Sequence, residues 1–334
     1  MTVEDRYSAV PEWAPQAFMW VGWPSDPSLW RAELEPARRE TAEFVQKSAG
    51  SVPIRLVAAG ATSVASAADI ASANVTTIEL PMGDIWLRDT GPMYVTANGA
   101  LTGVTFRFNG WGGKYVLSGD QHTAAAMLDV DGLSSAPQDF VLEGGAFDHD
   151  GAGQLITTRQ CLLNPNRNPG WKQEEAERAL VDTFALDRII WLDEGLLEDH
   201  TDGHVDNIAR FIGPSRIVCQ HPSGDDDPNT ETLMAVESLL RAAGLEVITL
   251  PSPGKIVEAN DEVMPASHLN FVFANDRVIM PCFEDKFGPK ACDILQAALP
   301  DHEVIASPAR HILSGGGAFH CMTSNVPALG GLKT

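Results

Sequence analysis

The chain has 334 residues, 44% of them hydrophobic, and a formal net charge of −22. Such an excess of acid repels nucleic-acid phosphates and anionic membrane surfaces and favours small cationic molecules. No apolar run approaches the roughly 20 residues that cross a bilayer. The opening MTVEDRYSAVPEW has acid and proline where an export signal has a basic start and an apolar run, so a soluble, cytoplasmic protein is expected.

In chain order, FMWVGWP comes first, followed by apolar residues at three- and four-residue spacing that predict a helix over Trp30–Ala49. DIWLRDTGP then leads into MYVTANGALTGVTFRF, two apolar runs joined by Asn-Gly, and LEGG leads into GAFDHDGAGQLITT, joined by Asp-Gly. A second helix is predicted over Lys172–Leu186. DHTDGHVDN then enters NIARFIGPSRIVCQ, which turns at Gly-Pro-Ser. A third helix over Asn229–Ala243 precedes ASHLN and LNFVFANDRVIMPCF, which turns at Asn-Asp; a fourth spans Pro289–Leu299. Each pair of runs reads as a β-hairpin, because its turn residues tolerate the backbone angles of a tight connection. SGGGAFHC represents a fifth unit. The cassettes recur at intervals of roughly 50 to 65 residues, which suggests an architectural repeat. No linker divides the chain, and residues 1–334 read as a single domain.

Ionisable groups gather at the entrance to each hairpin, and cassettes set around a common axis would bring those entrances to one pocket. Cysteines 161, 219, 282 and 292 lie in apolar surroundings and read as small buried hydrophobes. Five cysteines scattered through a long chain with no export signal argue against a disulfide framework, and with no CxxC pair no structural zinc site is expected. Cys321 differs, since Gly315, Gly316 and Gly317 stand just before it. A thiol becomes a nucleophile when its pKa is lowered or a base stands beside it. His320 and His204 are the candidate partners. On an extended strand His320 would face away from the sulfur, whereas His204 and Asp206, two apart, would share a face. Asp89 in WLRDTGP reads as the end of a strand entering a turn, and Glu143 as a carboxylate at a strand end. Taken singly, each has an ordinary structural use. Together, carboxylates, a histidine and a cysteine suit a guanidinium, whose planar N–H groups carboxylates bind bidentately while its carbon stays open to a thiolate. Carboxylates with histidine also bind divalent ions, but HEXXH and paired-histidine patterns are absent, and no metal is expected.

GDIWLRDTGP, FNGWGGKY, LEGG, CLLNPNRNP, DGHVDN and GGGAFHC, in this order, resemble the agmatine deiminases, the family that includes the Porphyromonas-type peptidylarginine deiminases. The resemblance runs from FMWVGWP to HCMTSNVP. It implies a pseudo-fivefold α/β propeller of ββαβ-type units around a central pocket. It further implies Cys321 as nucleophile, His204 as general acid and base, Asp89 and Asp206 as the guanidinium clamp, and Glu143 as the group that orients or charges His204. Trp86 and Trp111 match positions lining the substrate channel. The implied reaction passes through an amidino-cysteine and converts agmatine and water to N-carbamoylputrescine and ammonia, with no cofactor or metal. A homodimer is the family's expectation.

Two positions depart from that pattern. GGGNIHC is usual in the family, and here Ala318 replaces the amide. A glutamate that binds the far amine of agmatine often lies four residues before the catalytic histidine, and here that position is His200, with Asp199 and Asp202 as neighbouring carboxylates. The departures raise a second reading, a deiminase of free or peptide C-terminal arginine. A third reading, a catalytically silent guanidine-binding protein, leaves the nucleophile without a use.

Overall fold

The computed structural model describes residues 7–258 and 260–329, which form a mixed α/β fold containing five small sheets. Each sheet is built to one plan. An antiparallel hairpin leads into a helix, and the helix returns the chain as a strand parallel to the second strand of the hairpin, a crossover that parallel pairing requires. The four anticipated hairpins are present. Met93–Ala97 pairs with Ala100–Arg107, and Phe147–His149 with Gln154–Thr158. Ala209–Gly213 pairs with Arg216–His221, and Val272–Ala274 with Arg277–Cys282. At the first turn Asn98 and Gly99 have φ of 51° and 78°, the left-handed conformation that favours these residue types there. The returning strands are Ser135–Val141, Arg188–Leu192, Glu246–Pro251 and Glu303–Pro308. The fifth hairpin joins the two ends of the chain. Thr323–Pro327 runs antiparallel to Gln16–Gly22, which is extended in parallel by Ile54–Ala58 and then Val75–Glu79.

The crossover helices Gln173–Phe184, Thr230–Ala242 and Gly288–Ala298 fall within a few residues of the periodic stretches. The first predicted helix is broken in two. Arg31 takes φ 50° after Pro27–Trp30, and the long helix Leu34–Ser48 begins only after a 3-10 turn. Asp120–Asp131 is a helix that periodicity does not announce, because DQHTAAAMLDVD has no continuous apolar stripe; it buries Met127 and Leu128. WLRDTGP does not end a strand: Leu87–Thr90 forms one helical turn, so Asp89 sits on a helix and its backbone N–H bonds to the Trp86 carbonyl. His204 and Asp206 are not on a strand either. His204 precedes the 3-10 turn Val205–Asn207. The largest apolar cluster packs Leu34–Ser48 against the sheet of the chain ends through Trp20, Phe44, Leu56 and Phe319, with Phe44 and Phe319 stacked at 4.6 Å. Among the described residues no helix is long and apolar enough to cross a membrane.

Candidate active site

In all five sheets the segment just before the hairpin carries a polar group, and hydrogen bonds tie these segments together. Asp89 precedes the first hairpin, Glu143 and Gly145 the second, His204 and Asp206 the third, Asn270 the fourth and Cys321 the fifth. The Gly145 N–H donates to Asp89 Oδ1 at 2.9 Å, and Trp111 Nε1–H donates to Asp89 Oδ2 at 2.9 Å. His204 Nδ1 is 3.8 Å from the same Oδ2. Asn270 Nδ2 donates to Cys321 Sγ at 3.1 Å and lies 3.4 Å from Asp206 Oδ2, which is itself 3.6 Å from the sulfur. A Cβ on Gly145 would lie 2.5 Å from His204 Nδ1 and 3.2 Å from Asp89 Oδ1, so only glycine leaves room for the two groups to approach.

The thiol opens into a cavity of about 690 Å³, whose lining includes Asp89, Trp86, Trp111, His200 and Cys321. The glycine triplet forms one wall. A Cβ on Gly315 would fall 2.6 Å from the Trp30 ring, and one on Gly317 2.8 Å from the Trp86 ring and 3.0 Å from Cys321 Sγ; Gly316 has φ 106°. These glycines let the backbone approach two indoles and the sulfur, which answers why three occur together.

Burial is the largest influence on the Cys321 thiol, and with the Asp206 and Asp89 carboxylates beside it the pKa is pushed well above its ordinary value. Burial acts to lower the pKa of His204, yet the carboxylate of Asp89, the sulfur of Cys161 and Glu143 outweigh it and raise that pKa well above the usual imidazole range. Burial acts to raise Asp206, but His320, His204 and Arg210 hold it below its ordinary value. Glu143 is raised by burial, against Arg167, which donates to Oε1 at 2.6 Å, and His204. Three buried acceptors or donors stand out: Asp206 Oδ1 and both ring nitrogens of His204 have no hydrogen-bond partner among the described residues.

Cys161, expected to be an inert core residue, lies beside this site. Its sulfur, the Glu143 carboxylate and a His204 ring nitrogen fall within 4.8 Å of one another. By donor type the three match a divalent metal site, but Glu143 already faces the Arg167 guanidinium. For His320 the structure corrects the assumed strand but not the direction. His320 and Cys321 belong to a turn, and both reach Asp206, with His320 Nδ1 2.7 Å from Asp206 Oδ2, while His320 stays out of the cavity that Cys321 lines. His200 lines the cavity, with Nδ1 3.1 Å from the Tyr115 hydroxyl. Neither neighbouring carboxylate is free to replace the absent glutamate. Asp199 accepts from Thr201 at 2.8 Å and from Asn207, and Asp202 is held by Lys114, Asn166 and Arg167. Ala318 is buried in the apolar cluster. Asn270 and Arg167 went unassigned at the sequence level, though ASHLN was visible as a hairpin entrance and NPNRNP as a motif.

The arrangement has known counterparts. The family profile of the Porphyromonas-type peptidyl-arginine deiminases matches residues 8–327. Agmatine deiminase of Pseudomonas syringae pv. tomato is 35% identical, the match covering 97% of this chain and 96% of that protein. A C. jejuni agmatine deiminase variant with substrate bound superposes with a TM-score of 0.92 at 29% identity, over 98% of both chains. The Enterococcus faecalis agmatine deiminase gives 0.91 at 26% identity, again over 98% of both. The chain belongs to the Porphyromonas-type peptidyl-arginine deiminase family.

Proposed function

We propose that this protein is a hydrolase of the C–N bond of a guanidinium, with agmatine as substrate and N-carbamoylputrescine and ammonia as products. The observation that carries the reading is the unpartnered buried acceptor beside the thiol. An acceptor buried without a donor costs about 1–3 kcal/mol. Asp206 Oδ1 is therefore an acceptor held for a ligand, and the ligand that supplies N–H donors to a carboxylate beside a sulfur is a guanidinium.

Asp89 and Asp206 clamp the cation, and the Trp86 and Trp111 faces flank it with favourable cation–π contact. Seating the cation neutralises the two carboxylates that hold the thiol up, so Cys321 ionises, its proton passing to solvent, when substrate is present. The thiolate attacks the guanidinium carbon. The His204 imidazolium gives its proton to the departing nitrogen, the C–N bond breaks, and ammonia leaves an amidino-cysteine. Neutral His204 then takes a proton from water, the hydroxide adds to the same carbon, and collapse breaks the C–S bond, the hydroxyl proton passing to solvent, to release the ureido product and restore the thiolate. Glu143, backed by Arg167, stabilises the charged form of His204. The five ββαβ units surround this pocket as a pseudo-fivefold propeller, forming one catalytic domain. Support for the reading comes from the family, from a relative with bound substrate and from the convergence of five hairpin entrances.

The test is a panel of agmatine, arginine and C-terminal arginyl peptides, followed by ammonia release and mass spectrometry of the intact protein. Agmatine should have the highest kcat/KM, with a trapped adduct on Cys321. If all guanidines are inert the proposal fails. A preference for arginine, with His200 and Arg310 at the cavity in place of an amine-binding glutamate, would move the substrate assignment and leave the chemistry standing.

A further inference from the structure

Behind Asp206, on the side away from the cavity, lies a buried chain of charges that the reaction scheme does not use. His320 Nδ1 is 2.7 Å from Asp206 Oδ2, and its Nε2 is 2.7 Å from Glu12 Oε1. Glu12 comes from the turn that precedes the first long strand. Its other neighbours are Arg88, at 2.7 Å, and Arg210, which also faces Asp148 at 3.6 Å. We propose that His320 and Glu12 are positioning residues for the reaction: His320 stands as a cation that fixes and partly neutralises Asp206, and Glu12 holds the ring in place. The proposal rests on the deiminase reading of Asp206 and Cys321.

Charge balance and hydrogen-bond direction support it. Glu12 faces the guanidiniums of Arg88 and Arg210, which hold it ionised against its burial, and Asp206 is held below its ordinary value by His320 together with His204 and Arg210. Two ionised carboxylates can only accept, so each ring nitrogen of His320 must donate, and the ring carries both protons. Counted that way the cluster balances. Glu12, Asp148 and Asp206 oppose Arg88, Arg210 and His320, and a neutral His320 would leave a buried net charge of about −1, which is costly. Asp148 is held up to about 6 by burial, so it is ionised at neutral pH, and His149 beside Glu12 is pulled down to about 4, so it is neutral there. Asp206 meets His204 and Arg210 as well as His320.

The consequence falls on the sulfur. Asp206 and Asp89 are the charged groups that raise the thiol, and Asn270 touches it only as a neutral amide. Removing the cation behind Asp206 leaves that carboxylate less offset and free to turn, so the thiol becomes harder to ionise. A residue that merely supported the fold would leave the thiol's ionisation where it is.

The experiment measures the rate of iodoacetamide alkylation of Cys321 by peptide mass spectrometry across a range of pH, in the substrate-free protein. In His320→Gln the midpoint should rise by about one pH unit, read as roughly tenfold slower alkylation at a fixed pH below the midpoint. Glu12→Gln should move it the same way by less, because the ring then loses the acceptor that holds it against Asp206. Alkylation of the four other cysteines reports whether the fold is intact. An unchanged or lowered midpoint in His320→Gln overturns the proposal. If that variant does not fold, Glu12→Gln decides by the same criterion. The readout needs no turnover, so inert guanidines would remove the catalytic reading without touching this measurement, and a flat alkylation profile would do the reverse.

Discussion

The two ends of the cavity are built differently. At the inner end Asp89, His204, Asp206 and Cys321 are all buried, come from three different sheets and constrain one another through hydrogen bonds and charge. At the outer end Glu33 pairs with His311, Tyr115 is 42% exposed, and exposed Glu258 has no side-chain partner among the described residues. Charges without water interact strongly and have one arrangement, whereas exposed charges are screened and contribute little singly. The inner end therefore sets the chemistry, and the outer end adjusts which molecule reaches it.

The largest effect should come from the inner end. Cys321→Ala should abolish turnover, by roughly 10⁶-fold as expected when a nucleophile is removed, and still bind agmatine in calorimetry. If the variant retains measurable ammonia release, covalent chemistry at this sulfur is excluded and the contrast between the two ends loses its basis.

A second, smaller effect tests how strictly the buried cluster behind Asp206 excludes charge. His149 is buried, its Nδ1 has no partner, and burial, outweighing Glu12 and Asp150, pulls its pKa down to about 4. The unfolded chain takes up a proton near the ordinary value of about 6.5 and the folded protein does not, so stability present above 6.5 is lost as pH falls toward 4. Between pH 7 and pH 5 this amounts to about 2 kcal/mol. Asp84, Asp120 and Asp148, held up to about 6, act with the opposite sign as they gain protons in the folded state. The difference between His149→Gln and the parent isolates the histidine. Urea denaturation at the two pH values should show the variant losing less stability on acidification. Equal losses would mean that water reaches this cluster.

The same contrast explains what could be read from the residues alone. The hairpins were legible because Asn98-Gly99 and Asn275-Asp276 announce themselves locally, and the entrances were legible because chemistry-bearing residues recur just before them. Cys321, His204, Asp89 and Asp206 followed from that recurrence and from the family resemblance. Their secondary structure did not. Asp89 lies on a helical turn and His204 before a 3-10 turn, where the strand argument of alternate faces fails while the convergence survives. For His320 the premise of a strand failed, since it lies in a turn, yet the residue does face away from the cavity that Cys321 lines. Glu12, Asn270 and Arg167 were hidden for another reason: each acts on a residue far along the chain, Glu12 on His320 across 308 positions, and no local spacing records such a contact.

The smallest effect belongs to the outer end, and it separates selectivity from chemistry most finely. Glu258 borders the cavity with His200, and Arg310 holds the neighbouring backbone by donating to the Val257 carbonyl. Among the carboxylates lining the cavity, Glu33 faces His311 and Asp84 accepts from Trp30, which leaves Glu258 as the one whose role toward the far ammonium of agmatine can be tested. An exposed ion pair contributes about 0.2–1 kcal/mol, so Glu258→Gln should raise the agmatine KM by about 1.4- to 5-fold, with kcat little changed. An alkylguanidine that lacks the far amine supplies the control, since its KM should not move. Salt supplies a second, because screening at about 1 M shortens the reach of charge to about 3 Å and should erase the difference between variant and parent. Equal losses for both substrates would show that Glu258 shapes the cavity and does not read the substrate, and the far amine would then depend on His200 and Tyr115 alone.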